Sequence, residues 1–192
     1  MGILDDWMDL RWRYKAFFPI IAAIPLITFA KELKLSQDMT IPLLGTIHFG
    51  IYYYFIIIPL IVTIVTNTVN QLGGLNGLET ICPGIVITGL MFASLALSEA
   101  NAVLLYVPLI LWFILAFFNF RGKIFVGNTG SFSIGMTLAS YAIISGLKTV
   151  LVIAILPFVL NSLMILLNFF FSELKQRCHL MVRSCALTTG EV

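Results

Sequence analysis

The sequence predicts an all-α protein, a polytopic bundle of transmembrane helices, and three observations predict it. Hydrophobic residues fill 60% of the 192 positions and charged residues only 10%, where soluble domains carry about 25% charged residues. The mean hydropathy is +1.04. Apolar runs of near-spanning length recur along the chain with short polar stretches between them. So little polar surface cannot coat a water-soluble globule, and the solvent is largely lipid. The net charge of +2 is small and scattered, which speaks against a nucleic-acid partner.

Each element follows from the cost of an unpaired amide in hydrocarbon, which makes a crossing segment helical and roughly 17–25 residues long. In chain order the spans fall at 16–29, 51–65, 82–97, 103–118, 132–145 and 150–171. The first and fifth are short and contain Pro25 and Gly135 respectively, so each depends on its neighbours for burial. Nothing remains for a soluble domain, and residues 1–192 read as a single membrane-embedded domain of about six spans.

Lys and Arg near span ends stay on the cytoplasmic side. With alternating sides, Arg11, Arg13, Lys15, Arg121, Lys123, Lys175, Arg177 and Arg183 fall together, and only Lys31, Lys34 and Lys148 fall opposite. Segments 1–15, 66–81, 119–131 and 172–192 are therefore read as cytoplasmic, and 30–49, 98–102 and 146–149 as the opposite loops. Cys82, Cys178 and Cys185 form no metal or disulfide pattern and read as free thiols. His48 and His179 have no nucleophile or carboxylate at a useful spacing, which leaves a Ser-His-Asp mechanism without support.

The polar chemistry sits in the cytoplasmic segments. The first holds Asp5, Asp6 and Asp9 with Arg11, Arg13 and Lys15. Its carboxylates suit a hard cation or a general base; equally, the stretch reads as an interfacial segment with an Asp9–Arg13 pair, Trp7 and Trp12 as headgroup anchors and an Asp as helix cap. In the second, Asn67 and Asn70 are three apart on one helical face, where amides at a membrane edge are expensive unless paired. Gly73, Gly74 and Gly77 follow, in a turn that lets the backbone approach a phosphate or a base. The third runs through Arg121, Lys123 and Phe125 to Gly127-Asn128-Thr129-Gly130-Ser131, which opens a helix. Amides and hydroxyls at a positive dipole end favour an anion such as a diphosphate, although Thr129 and Ser131 read as well as N-caps. Carboxylates, amides and hydroxyls on one face of the membrane together suit a metal-bound diphosphate. A transporter would put ionisable groups inside its spans or show an inverted repeat, and neither is visible.

These strings resemble three motifs of one family. Asp5-Asp6-x-x-Asp9-Leu10-Arg11-Trp12-Arg13-x-Lys15, then Asn67-x-x-Asn70 with Asn76-Gly77-Leu78-Glu79, then Phe125-Val126-Gly127-Asn128-Thr129-Gly130, are similar in order and spacing to the polyprenyl-phosphate N-acetylhexosamine-1-phosphate transferases, glycosyltransferase family four. The Leu-Arg-Trp-Arg-Tyr-Lys and Asn-Gly-Leu-Glu strings look closest to the dolichyl branch and its archaeal relatives. The resemblance implies an enzyme that passes GlcNAc-1-phosphate from UDP-GlcNAc to a dolichyl-type polyprenyl phosphate and releases UMP, the first step of lipid-linked oligosaccharide assembly for N-glycosylation. It implies Asp5 and Asp6 as base or metal organisers, Lys15 and Asn67 as further catalytic groups at the phosphates, and Asn70 and Asn128 as ligands of Mg2+, with Mn2+ as an alternative. Gly74 and Asn76 match the turn that receives uracil, and Phe125 a residue beside the nucleotide. Arg177 and His179 match, more loosely, a basic loop that contacts the sugar-nucleotide. Membrane lipid is a further expected partner, and a homodimer is left open, since the sequence does not reveal oligomeric state. The membrane would be the cell membrane in an archaeon or bacterium and the endoplasmic reticulum in a eukaryote.

Two departures stand out. Asn128 occupies a position where much of the family has aspartate, which keeps an oxygen for Mg2+ and removes a negative charge. The family also has about ten spans where about six are expected here, so the sequence reads as a fragment lacking N-terminal spans and a C-terminal span. Transfer to undecaprenyl phosphate in cell-envelope synthesis and a non-catalytic homologue are the alternative readings.

Overall fold

The computed structural model describes residues 12–41, 45–73, 77–97 and 100–189. Its helices follow the six apolar runs: α1 (Trp12–Glu32), α2 (Ile58–Asn70), α3 (Leu78–Ala96), α4 (Tyr106–Phe120), α5 (Gly127–Ile144) and α6 (Lys148–Thr189). A turn of π-helix, Tyr53–Ile57, leads into α2, and a 3-10 segment, Ala100–Leu105, leads into α4. The π turn has a local cause. Pro59, in the first turn of α2, has no N–H for the carbonyl four residues back, and the Ile58 amide reaches five residues back to the Tyr53 carbonyl.

Among the described residues, four segments are long and apolar enough to cross a membrane: Tyr53–Asn70, Leu78–Ala96, Asn101–Phe120 and Lys148–Ser172. On α4 the side chains of Ile110, Leu111, Phe113 and Ile114 are each more than half exposed. Such a face suits lipid tails and not water. The protein is thus an all-α polytopic membrane protein.

α5 is of a different kind. Its sequence mixes glycine, serine and threonine with apolar residues, and it packs chiefly on α2. The two helices approach closely at Gly135, where an added Cβ would lie 2.7 Å from Thr66 Cα. Val62, Val65 and Val69 of α2 and Leu138, Ala139 and Ala142 of α5 are fully buried. This confirms the expectation that the fifth run is buried by its neighbours. The Tyr141 hydroxyl donates to Ser94 Oγ at 2.7 Å, tying α5 to α3. Trp112 of α4 donates its indole N–H to the Thr80 carbonyl of α3 at 2.7 Å.

The stretch read from sequence as the loop 30–49 contains a two-stranded antiparallel hairpin, β1 (Asp38–Ile41) and β2 (Gly45–His48), with Asp38 opposite His48. Runs of four residues are too short for an alternating pattern to stand out. Lys148, at the start of α6 and only 4% exposed, donates to the carbonyls of Ser36 at 2.6 Å and Asp38 at 3.0 Å. Its ammonium also lies 4.3 Å from the Tyr53 ring centroid. The Thr149 hydroxyl donates to the Thr40 carbonyl at 2.6 Å, and the Asp38 carboxylate bonds the His48 ring across the hairpin. Hairpin, π turn and the start of α6 thereby share one end of the bundle.

The chain divides at Pro157 into two compact units, 1–156 and 157–192. The described residues of the second form a single helical stretch in which α6 runs on to Thr189, whereas the sequence reading ended the span at 171 and expected a loop. No glycine or proline occurs between Pro157 and Gly190 to break the helix.

Candidate active site

The end of the bundle away from the hairpin brings together the last turn of α2, the first turn of α3, the last turn of α4 and the first turn of α5. Two side-chain bonds across the sequence establish this. Ser131 of α5 donates its hydroxyl to Asn70 Oδ1 of α2 at 2.6 Å. The backbone N–H of Gly77, which precedes α3, donates to Asn119 Oδ1 of α4 at 3.0 Å.

Asn70 closes α2 and is half-buried. The hydroxyl that engages it also lies 2.9 Å from the Gly127 carbonyl and 3.3 Å from the Asn128 carbonyl. Ser131 therefore joins the segments that carry Asn70 and Asn128, the two residues read as metal ligands. α5 opens with Val126 as its N-cap residue and without a side-chain cap bond, so Ser131 serves as a link between helices and not as the cap that its position suggested. The first-turn amides of α5 have no carbonyl of their own helix to bond and add their dipole to this end. One turn before Asn70, Asn67 donates Nδ2 to the Thr63 carbonyl at 2.9 Å, which fixes the orientation of its amide.

The glycine turn after α2 is tight. A Cβ on Gly73 would stand 3.1 Å from the Asn70 carbonyl and 3.5 Å from Glu79 Oε1, and Glu79 is only 3% exposed. Gly77 adopts φ +91°, and a Cβ there would meet the Phe120 ring at 3.0 Å. Phe125 stands 70% exposed beside buried Val126, so its ring is open to a ligand. Arg121 lies back over the Phe117 ring, 4.1 Å from its centroid.

Asp5, Asp6, Gly74 and Asn76 lie outside the described residues. Lys15 falls in the first turn of α1, and Arg177 and His179 fall on α6; their side chains lie outside the described set. Of the residues expected in the site, the structure thus brings Asn67, Asn70, Asn128 and Phe125 to one end of the bundle.

Two members of this end were not given their roles by the sequence. Asn119 is wholly buried; besides the Gly77 amide it accepts the Thr80 hydroxyl at 3.3 Å, and its Nδ2 donates to the Ile124 carbonyl at 3.0 Å. The signal was a single amide at the end of an otherwise apolar helix, a placement that requires partners. Ser131 carried no comparable signal, because a hydroxyl in a first turn is ordinary.

The donor chemistry can be tested against a divalent cation. Among the described residues no group of three or more His, Cys, Asp or Glu could hold a metal. Asn70 and Asn128 offer amide oxygens, hard donors of the type Mg2+ takes but without charge. The set fits Mg2+ when carboxylates or substrate phosphates complete it. Beside this end, an open groove of mostly apolar lining follows α5 from Thr129 through Phe132, Met136 and Tyr141 to Ile144, with Ala22 and Leu105 also along it.

Residues 1–146 match the model of glycosyl transferase family 4. A protein of Saccharolobus solfataricus, provisionally assigned as a UDP-N-acetylglucosamine–dolichyl-phosphate N-acetylglucosaminephosphotransferase, is 36% identical over 165 residues, covering 84% of this chain and 50% of the relative. The Dictyostelium discoideum enzyme of the same name is 30% identical over 195 residues, covering 85% of this chain and 48% of the relative. The phospho-N-acetylmuramoyl-pentapeptide-transferase of Bacillus cytotoxicus is 29% identical over 181 residues, covering 88% and 55%. The chain spans about half the length of these relatives. On a family match that covers most of its length, the chain belongs to glycosyl transferase family 4.

Proposed function

We propose that this chain is part of a membrane phosphotransferase that moves GlcNAc-1-phosphate from UDP-GlcNAc onto a dolichyl-type polyprenyl phosphate. The observation that carries this reading is the Ser131–Asn70 bond, which gathers the Asn70 and Asn128 segments at the end of the bundle that also holds the glycine turn and Phe125. The two archaeal relatives named for a dolichyl-phosphate acceptor are 36% and 34% identical, against 29% and 32% for two phospho-N-acetylmuramoyl-pentapeptide-transferases, which supports the dolichyl-type acceptor over an undecaprenyl one.

In the reaction an oxygen of the lipid phosphate forms a bond to the β-phosphorus of UDP-GlcNAc. The bond from that phosphorus to the bridging oxygen breaks, and UMP leaves with the electron pair. Such a displacement needs positioning and neutralisation of charge more than covalent help. Asn70 and Asn128 would hold Mg2+ through their amide oxygens, with Asp5 and Asp6 supplying carboxylate charge. The metal, when bound, neutralises the diphosphate. Lys15 faces phosphate oxygens in this reading, Gly74 and Asn76 receive the uracil, and Phe125 packs on the nucleotide. The groove along α5 seats the start of the prenyl chain next to the reacting phosphate. The site end faces the cytoplasm, where UDP-sugars are made.

The test is release of UMP from UDP-GlcNAc by membranes containing the complete gene product, with and without dolichyl phosphate and Mg2+. Release that requires both is the expected result. No release from a folded full-length protein would move the assignment to a non-catalytic homologue.

A further inference from the structure

We infer that Asn119 is a positioning residue that locks the two nucleotide-facing loops to each other, and so sets affinity for the UDP-sugar without touching it. The inference rests on the nucleotide site proposed above.

Asn119 is 0% exposed and closes α4, a helix whose other residues in its last turns are almost all apolar. A buried amide there is costly unless its polar atoms are satisfied. Its oxygen takes the Gly77 N–H at 3.0 Å and the Thr80 hydroxyl at 3.3 Å, fixing the end of the glycine turn and the first turn of α3. Its nitrogen donates to the Ile124 carbonyl at 3.0 Å, fixing the residue before Phe125. One side chain thus spans from the loop that carries Gly74 and Asn76 to the loop that carries Phe125 and Asn128.

The surroundings leave this clamp little freedom. Gly77, at φ +91°, seats directly on Phe120, the neighbour of Asn119. Thr80, which donates to Asn119, is itself held by the Trp112 indole through its carbonyl at 2.7 Å. α3 and α4 are therefore fixed to each other through Trp112, two turns before Asn119 on α4, and Asn119 transmits that fixed spacing to both loops. A ligand held between an amide turn on one loop and an aromatic ring on the other depends on the distance between them, and displacements of about 1 Å are costly in such sites. Complete burial also means that Asn119 acts through the loops and not on the substrate.

The experiment compares the full-length enzyme with Asn119→Leu, which keeps the branched volume and removes all three bonds, and with Thr80→Val, which keeps the shape and removes one. The expected result is a rise of about tenfold in KM for UDP-GlcNAc in Asn119→Leu, with a smaller rise in Thr80→Val. KM for the lipid phosphate stays unchanged in both, and UMP binding measured by calorimetry weakens in parallel. A folded Asn119→Leu enzyme with native KM for UDP-GlcNAc, or with equal losses towards both substrates, would overturn the proposal. Should Asn119→Leu fail to accumulate, Thr80→Val decides on the same criteria. If the native enzyme itself releases no UMP, the site reading fails; if it does and only the variants behave as native, the clamp alone fails.

Discussion

Ser131 and Asn70 are 61 residues apart in sequence and joined by a 2.6 Å hydrogen bond between two helices. The bond occupies one lone pair of the Asn70 oxygen and fixes where the other points, so the residue expected to meet the metal is aimed from the neighbouring helix. In the full-length enzyme, Ser131→Ala is expected to raise the Mg2+ concentration for half-maximal UMP release by about tenfold, as loss of a group that orients a ligand does. The bond itself is worth about 1 kcal/mol, so the protein stays folded. A Mg2+ titration checks this, and an unchanged midpoint would mean that the Asn70 oxygen is not held for a cation.

The same pair of helices depends on Gly135. A Cβ at this position would meet Thr66 Cα at 2.7 Å, and a backbone atom in a packed helix cannot rotate aside. Gly135→Ala is expected to destabilise the protein by about 1–3 kcal/mol, and Gly135→Leu to prevent accumulation of folded protein. Thermal unfolding in detergent measures the first and yield measures the second. A native melting temperature for Gly135→Ala would show that the crossing can widen freely.

How much of this was legible in the sequence varied with the distance over which each signal acts. The helices were, because burying amides in lipid forces long apolar runs that composition reveals directly. Asn67 and Asn70 were legible as well, since two amides on one face of an apolar helix demand an explanation. The hairpin was missed because residues 38–41 and 45–48 are each a strand of only four residues, below the length at which alternation differs from chance. The extension of α6 was missed because a polar stretch after an apolar span reads as a loop, although nothing between Pro157 and Gly190 breaks the helix. The partners of Ser131 and Asn119 were out of reach for a different reason. A hydroxyl or an amide shows that it needs a partner, and only the packing of α2 on α5 and of α3 on α4 says which one.

Lys148 offers a test at the opposite end. It is nearly buried and holds the Ser36 and Asp38 carbonyls, so Lys148→Met leaves both without that donor. Each such loss costs about 1–3 kcal/mol. Faster hydrogen exchange confined to residues 36–48 is expected, with UMP release unchanged because the site lies at the other end of the bundle. Native exchange rates in the hairpin would show that its own pairing, with Thr149 on Thr40, is enough to hold it.

Asn128 is where the neutral character of the expected metal site becomes measurable. Its segment sits against Asn70 through Ser131, and both residues offer only neutral oxygens. A hard divalent cation is held chiefly by charge, so exchanging one amide for a carboxylate strengthens the site without changing its shape. Asn128→Asp is therefore expected to lower the Mg2+ concentration for half-maximal UMP release by about tenfold, with KM for UDP-GlcNAc measured at saturating Mg2+ little altered. The same Mg2+ titration used for Ser131→Ala reads the effect with opposite sign. A midpoint that does not fall would place Asn128 outside the metal's reach and leave the charge of the site to Asp5, Asp6 and the substrate's own phosphates. A rise from no activity to measurable release would instead identify the natural chain as a homologue that had lost catalysis at this residue.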